Sequence, residues 1–113
     1  MSAAAIRVLE YLDRSGRSPW RRWFNDLDAH AAAKVGTALY RLGQGNFSTV
    51  EGAGSGVFEV RIDFGPGYRI YFGKDGETVV ILLGGSTKKR QSAAIEAAHK
   101  AWTDYKQRKK GAA

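Results

Sequence analysis

The sequence predicts a small α+β domain: an antiparallel sheet with helices packed on one face, in the order β-α-α-β-β-β-α. Three observations carry this. Residues 58 to 72 alternate apolar and polar side chains with a period of two, interrupted by Gly65-Pro66-Gly67. Two helical stripes with their own caps precede that hairpin, and a third follows it. The chain of 113 residues, 43% of them hydrophobic, is long enough for one packed core and too short for two. One domain is therefore expected over residues 1–113, with a basic tail from about Lys106.

The elements follow in order. Ile6 to Leu12 alternates loosely and reads as a first strand, and Arg14 to Arg17 as a turn around Gly16. Ser18 caps a short helix with Pro19 at its first position, where a missing N–H is harmless. Trp20, Trp23, Phe24 and Leu27 share one face of it. Asp28 caps a second helix with Ala31, Val35, Leu39 and Leu42 as its inner stripe, ended by Gly43 and Gly45. Gly52 to Gly56 resembles a phosphate loop only in composition: it precedes a strand and lacks the Lys-Ser/Thr of a nucleotide loop. It reads as a flexible connection.

In the central hairpin, pairing Phe64 with Tyr68 sets Ile62 against Ile70 and Val60 against Phe72. The same register puts Asp63 opposite Arg69 and Arg61 opposite Tyr71 on an open face. Asp75-Gly76 marks the next turn, and the unbroken apolar run Val79 to Leu83 implies a strand buried on both sides. Folding back there brings Lys88, Lys89 and Arg90 near Arg69. Ile95, Ala98, Trp102 and Tyr105 form the stripe of the last helix.

Composition narrows the chemistry. No cysteine is present, which excludes a disulfide framework, a thiolate nucleophile and a cysteine zinc site. No Asp/Glu/His set has metal-ligand spacing, so neither a metal nor a cofactor is expected. His30 and His99 form no convincing acid–base pair, since one opens a helix and the other lies beside Trp102. The longest apolar run is far short of a membrane helix, and Met1 to Ala5 shows no secretory pattern, so a cytoplasmic location with no membrane partner is expected. Charge is unevenly placed. The formal net charge is +7, and residues from Ser86 onward carry eight basic groups against Glu96 and Asp104. A basic quarter on a near-neutral body points to a polyanionic partner or to a solvated helix face.

Several segments together are similar to RelE/HigB-type toxins of type II toxin–antitoxin systems, in the HigB-like addiction-module killer branch of the RelE/ParE superfamily. They are Trp23-Phe24-Asn25-Asp26-Leu27, Gly45-Asn46-Phe47, the hairpin from Phe58-Glu59-Val60-Arg61 to Gly67-Tyr68-Arg69-Ile70-Tyr71-Phe72, and Leu82-Leu83-Gly84-Gly85 with Lys88-Lys89-Arg90-Gln91 and Ile95-Glu96-Ala97-Ala98. The hairpin is the specific part. Two departures stand out: one residue more than usual precedes Lys88, and Ala94 occupies a place where aspartate is common.

The resemblance implies a toxin that cleaves mRNA on the translating ribosome and is held inactive by a cognate antitoxin of helix-turn-helix type. It implies catalytic roles for Arg61 and Arg69, with Lys88 or Lys89 at the basic position after the last strand. Tyr71 joins them on the same face. Arg90, Gln91, Lys106, Arg108, Lys109 and Lys110 are expected to contact RNA. Fixed Arg and Lys donors stabilise charge building on phosphoryl oxygens without a metal. The base that takes the 2′-hydroxyl proton is left open: Tyr71 or a lysine would need a pKa drawn below its usual ~10, the direction in which neighbouring cations push. Two other functions fit the fold class, a DNA gyrase inhibitor of ParE type and a non-catalytic basic nucleic-acid-binding module.

Overall fold

A computed structural model describes residues 5–111. The chain forms β1 (Arg7–Glu10), α1 (Pro19–Asn25), α2 (Ala29–Gly43), β2 (Val50–Gly52), β3 (Val57–Ile62), β4 (Tyr68–Lys74), β5 (Val79–Thr87), a 3-10 turn (Lys88–Arg90) and α3 (Gln91–Gly111). The five strands make one sheet in the order β1-β5-β4-β3-β2. All neighbours are antiparallel except β1, which lies parallel to β5. The α+β class holds, with a mixed sheet and one extra short strand, β2. No turn signal links β1 to a neighbouring strand in sequence; its partner lies some seventy residues on, across two helices and a meander.

Local chemistry sets the helix limits. The Ser18 hydroxyl accepts from the Arg21 N–H at 3.0 Å, and the Asp28 carboxylate accepts from the Ala31 N–H at 2.8 Å. At the far end of α2, Gly45 takes φ +83°. Its N–H donates to the Leu42 carbonyl while the Asn46 N–H reaches Arg41, a Schellman ending that satisfies two orphaned carbonyls.

Helices cover both faces of the sheet, not one. On the first face, Trp20, Ala31, Val35 and Leu42 pack against Val60, Ile62, Ile70, Phe72, Val80 and Leu82. On the second, Ala98, Ala101 and Trp102 of α3 close over Val57, Tyr71, Ile81 and Leu83. The face expected to be open is therefore a second core over most of its length. Two glycines permit the close approach. A Cβ at Gly73 would sit 2.5 Å from the Trp102 ring, and one at Gly85 would collide with Trp23.

The β3–β4 register differs from the expected one by two residues. Ile62 pairs with Tyr68, Arg61 with Arg69, Val60 with Ile70, Glu59 with Tyr71 and Phe58 with Phe72. The turn is wider than three residues: the Phe64 N–H donates to Ile62 and the Gly67 N–H to Phe64, so Asp63 and Phe64 belong to the loop. A shift of two keeps every side chain on its face, which is why the apolar pattern fits both registers. The Gly52–Gly56 segment is an ordered β2–β3 hairpin turn: His99 Nε2 lies 2.8 Å from the Ala53 carbonyl oxygen.

α3 is pinned at its C-terminal half. Asp104 accepts from the Tyr11 hydroxyl at 2.7 Å and pairs with Arg108 at 2.9 Å and Arg14 at 3.2 Å. Tyr105 donates to Asp75 at 2.6 Å, and Lys109 pairs with the same carboxylate. The hydrogen bond from Tyr11 and the nearby guanidinium groups hold the Asp104 carboxyl below its usual range. Burial, followed by Asp75, pushes the Tyr105 hydroxyl up to about 12.

Two outcomes follow for stability. Gly73→Ala is expected to lower stability by ~1–3 kcal/mol through overpacking against Trp102. Gly36→Ala, at an exposed α2 position where a Cβ meets nothing, should instead raise it by ~0.5–1 kcal/mol; denaturant melts of both variants check this. For Asp104 the sign is that of a depressed carboxyl: its stabilisation is full above the unfolded pKa of ~3.9 and vanishes as pH falls through the lower folded value. Asp104→Asn should therefore melt below wild type at pH 7 and together with it at pH 2, and equal melting at both pH values would contradict the latch.

Candidate functional site

Three strands put one row of side chains on the second sheet face, beyond the reach of the Trp102 end of α3. Arg61 of β3 is paired with Arg69 of β4, which is paired with Ser86 of β5. One row inward come Glu59, Tyr71 and Gly84. Glu59 is buried, 6% exposed, and so is Arg69, 5% exposed. Arg69 Nε lies 3.6 Å from Glu59 Oε2, and Arg69 Nη1 donates to the Tyr68 carbonyl at 3.1 Å. Arg61 Nη2 is 3.8 Å from the other oxygen of Glu59 and 2.7 Å from Glu51. One carboxylate thus lies between two guanidinium groups whose strands set them directly opposite each other. Glu59 Oε2 and Arg69 Nε make no hydrogen bond, so electrostatic attraction alone joins those two atoms.

Cations gather around this buried pair. The Lys88 N–H donates to the Gly67 carbonyl at 3.0 Å, which ties the 3-10 turn to the β3–β4 turn. Gly67 takes φ +80°, and a Cβ there would lie 3.4 Å from Lys88 Cβ and 3.7 Å from Arg69 Nη1. Lys88, Lys89 and Arg90 are exposed, as is Arg61; Gln91 is half-buried as the first residue of α3. The structure therefore brings Lys88 to Arg69, as the folded-back hairpin implied. It does not form the Asp63–Arg69 pair, because Asp63 lies in the wider turn; Glu59 holds Arg69 instead.

Tyr71 is a correction. Its side chain is fully buried beneath α3, with its hydroxyl 3.1 Å from Ser86 Oγ. Burial pushes that hydroxyl up, and Glu59 adds to the rise against the weaker opposing pulls of Ser86 and Arg69. A buried phenol whose ionisation is disfavoured cannot collect a proton from a bound substrate near neutral pH. Arg69 is likewise not on an open face; it sits beneath the exposed cations.

The C-terminal basic residues lie at the other end of the sheet, around the β4–β5 turn. They continue α3 and are not a separate tail. Arg108 pairs with Asp104 and donates to the Leu12 carbonyl, Lys109 pairs with Asp75, and the Lys106 ammonium lies 5.6 Å from the Trp102 ring centre. Lys106 and Lys110 make no ion pair among the described residues. The described residues contain no group of three or more His, Asp or Glu placed to hold a metal ion, and no helix long and apolar enough to cross a membrane.

The sequence reading overlooked Glu59. A signal was available: the second-face stripe of β3 reads Val57-Glu59-Arg61, apolar then charged, which marks where the cover of α3 gives out.

A small α+β domain with a cationic rim over a buried ion pair is a class of fold suited to an anionic partner. Residues 22–106 match the family described as Phage derived protein Gp49-like (DUF891). The chain belongs to this Gp49-like family, which is associated with toxin–antitoxin modules. It is also 39% identical over 77 residues to an uncharacterized protein of Haemophilus influenzae, covering 67% of this chain and 78% of that one.

The buried pair has a measurable consequence. Glu59→Gln leaves the Arg69 charge buried without its counter-charge and is expected to destabilise by ~3–5 kcal/mol. The double variant Glu59→Gln/Arg69→Met should recover much of that loss. Urea melts of the two single variants and the double variant form the test cycle; simple additivity would show that the two charges do not interact.

Proposed function

We propose that the chain is the toxin of a type II toxin–antitoxin module, a RelE/HigB-like endoribonuclease that cleaves mRNA on the translating ribosome and is restrained by a cognate antitoxin. The observation that carries this is the exposed set Arg61, Lys88, Lys89 and Arg90 around the Glu59–Arg69 pair. Family membership supports the toxin–antitoxin setting, and the hairpin resemblance supports the RNase branch.

In the reaction, the 2′-hydroxyl oxygen attacks the adjacent phosphorus and loses its proton, and the bond to the 5′ oxygen breaks as that oxygen gains one. Negative charge on the phosphoryl oxygens peaks between these events. Donors fixed in place beforehand lower that barrier most. Arg61 and the lysines Lys88 and Lys89 are assigned the phosphoryl contacts, since they are exposed and held by the sheet and by the tie to Gly67. Arg69 is assigned a positioning role: it fixes Glu59, which lies 3.8 Å from Arg61. Arg90 and Gln91 follow on the same side and contact flanking nucleotides. Of the C-terminal group, Lys106 and Lys110 carry loose contacts to RNA, while Arg108 and Lys109 are engaged with carboxylates. Tyr71 has no part in proton transfer. The ribosome supplies orientation of the message, a contribution worth up to ~7–11 kcal/mol when geometry is right.

The test is cleavage of mRNA on programmed ribosomes at two salt concentrations. Arg61→Ala, and separately Lys88→Ala/Lys89→Ala, should keep the fold and lose a hundredfold or more in turnover, equivalent to ~3–4 kcal/mol of transition-state stabilisation. Lys106→Ala/Lys110→Ala should weaken association and flatten its salt dependence, with turnover at saturation kept. A folded Arg61→Ala that cleaves at the wild-type rate removes this rim from the chemistry. Inhibition of gyrase supercoiling in place of mRNA cleavage would overturn the RNase assignment.

A further inference from the structure

A second cationic feature lies on the opposite side of β3. The outer edge of β3 is covered only in part, since β2 pairs with Phe58, Glu59 and Val60 and its last tie is the Arg61 N–H to the Thr49 carbonyl at 3.3 Å. Between the stretch from Val60 to Phe64 and the neighbouring face of α2 runs a cleft of about 350 Å³. Lys34, Ala38 and Arg41 line it at helical spacings of four and three, so they form one wall.

We propose that this cleft receives an extended, acidic segment of the antitoxin, which adds to the sheet beside Ile62 to Phe64. The assignment of the partner rests on the toxin reading above. Charge comes first. Neither Lys34 nor Arg41 has a carboxylate within ion-pair distance among the described residues, and Asp63 is the one acidic residue on the walls. The Lys34 ammonium rests 5.4 Å from the Phe64 ring centre, held at the mouth of the cleft. Seven residues of helix separate the two cations by ~10 Å, the distance covered by about three residues of extended chain at ~3.3 Å each.

Backbone chemistry selects protein over nucleic acid. A sheet edge left without a neighbouring strand offers main-chain groups that an extended peptide satisfies, and alternate side chains of that peptide then meet the α2 wall. The floor is apolar, with Val60, Ile62 and Leu42 buried, which suits aliphatic side chains between the acidic ones. Arg61 lines the same cleft. An acidic segment seated there brings a carboxylate to a cation of the proposed catalytic rim and competes with Glu51 for it.

The experiment is a titration of the isotopically labelled full chain with a capped ten-residue peptide of alternating Glu and Val, followed by amide chemical shifts. A Lys–Val repeat and a ten-nucleotide oligouridylate serve as comparators. The Glu–Val peptide should give saturable shifts confined to residues 34–41 and 60–64, and Lys34→Ala/Arg41→Ala should weaken it at least tenfold with the fold retained. Absence of saturable binding to wild type up to millimolar peptide would overturn the proposal. So would oligouridylate shifting the same residues with the same dependence on Lys34 and Arg41, which would make the cleft an RNA site. Growth assays separate this from the toxin reading. If wild type arrests growth, the double variant should arrest it equally, and loss of arrest would assign the cleft to the toxic act and overturn the proposal. If wild type arrests nothing, the toxin reading fails, while the titration still decides whether the cleft takes an acidic strand.

Discussion

The Glu59–Arg69 pair is the constraint around which the rest of the site is arranged. The observed register sets Arg61 directly opposite Arg69, and two like charges across a ladder repel. Glu59 removes that difficulty by lying within 4 Å of both guanidinium groups. Burying the pair carries a desolvation cost of several kcal/mol per ion, which attraction offsets only while both partners are held in place. The sheet supplies that rigidity, and Tyr71 with Ser86 fills the space beside the pair with a satisfied hydroxyl couple. Arg61 thereby gains a fixed anchor while its own side chain stays in reach of solvent.

α3 then decides what is buried and what is offered. Trp102 lies flat on Gly73, and Ala98 and Ala101 let the helix approach closely, so the β4–β5 end of the face is sealed. Toward the β3–β4 turn the helix gives way to the 3-10 turn, which bonds to Gly67 and presents Lys88, Lys89 and Arg90 outward. A single chain reversal after Thr87 therefore completes the second core and forms the cationic rim. Core packing and site geometry are linked through it.

Much of this was legible in the sequence, and the failures have physical causes. Caps at Ser18 and Asp28, the stripes of α1 and α2 and the two hairpins are local signals, written in residues a few positions apart. The β3–β4 register was not legible, because a two-residue shift conserves the facing of every side chain and only the geometry of the turn distinguishes the two. Covering of the second face was visible in part: the apolar run Val79–Leu83 requires burial on both sides, and that requirement conflicts with an open face at Tyr71. β1 beside β5 is a non-local pairing with no turn to announce it. At the site, exposed Arg61 and Lys88–Arg90 stand at the expected end of the hairpin, whereas Tyr71 and Arg69 lie beneath the surface because Gly73 admits Trp102 and Glu59 draws Arg69 inward.

The two basic regions differ in what explains them. Lys106, Arg108, Lys109 and Lys110 stand in the last turns of a 21-residue helix, where the negative end of its dipole favours cations, and Asp104 and Asp75 pair two of the four. Fold stability accounts for their position without any ligand. Lys88, Lys89 and Arg90 stand immediately before the same helix, at the end where the dipole disfavours positive charge. No carboxylate among the described residues pairs with them. Three adjacent cations placed against the helix field, bonded to the turn beside a buried Arg69, gain nothing from folding that neutral residues would not supply. The term that repays them is an anion outside the chain, and it is this end of the sheet, not the more conspicuous C-terminal run of charge, where a phosphate would be held.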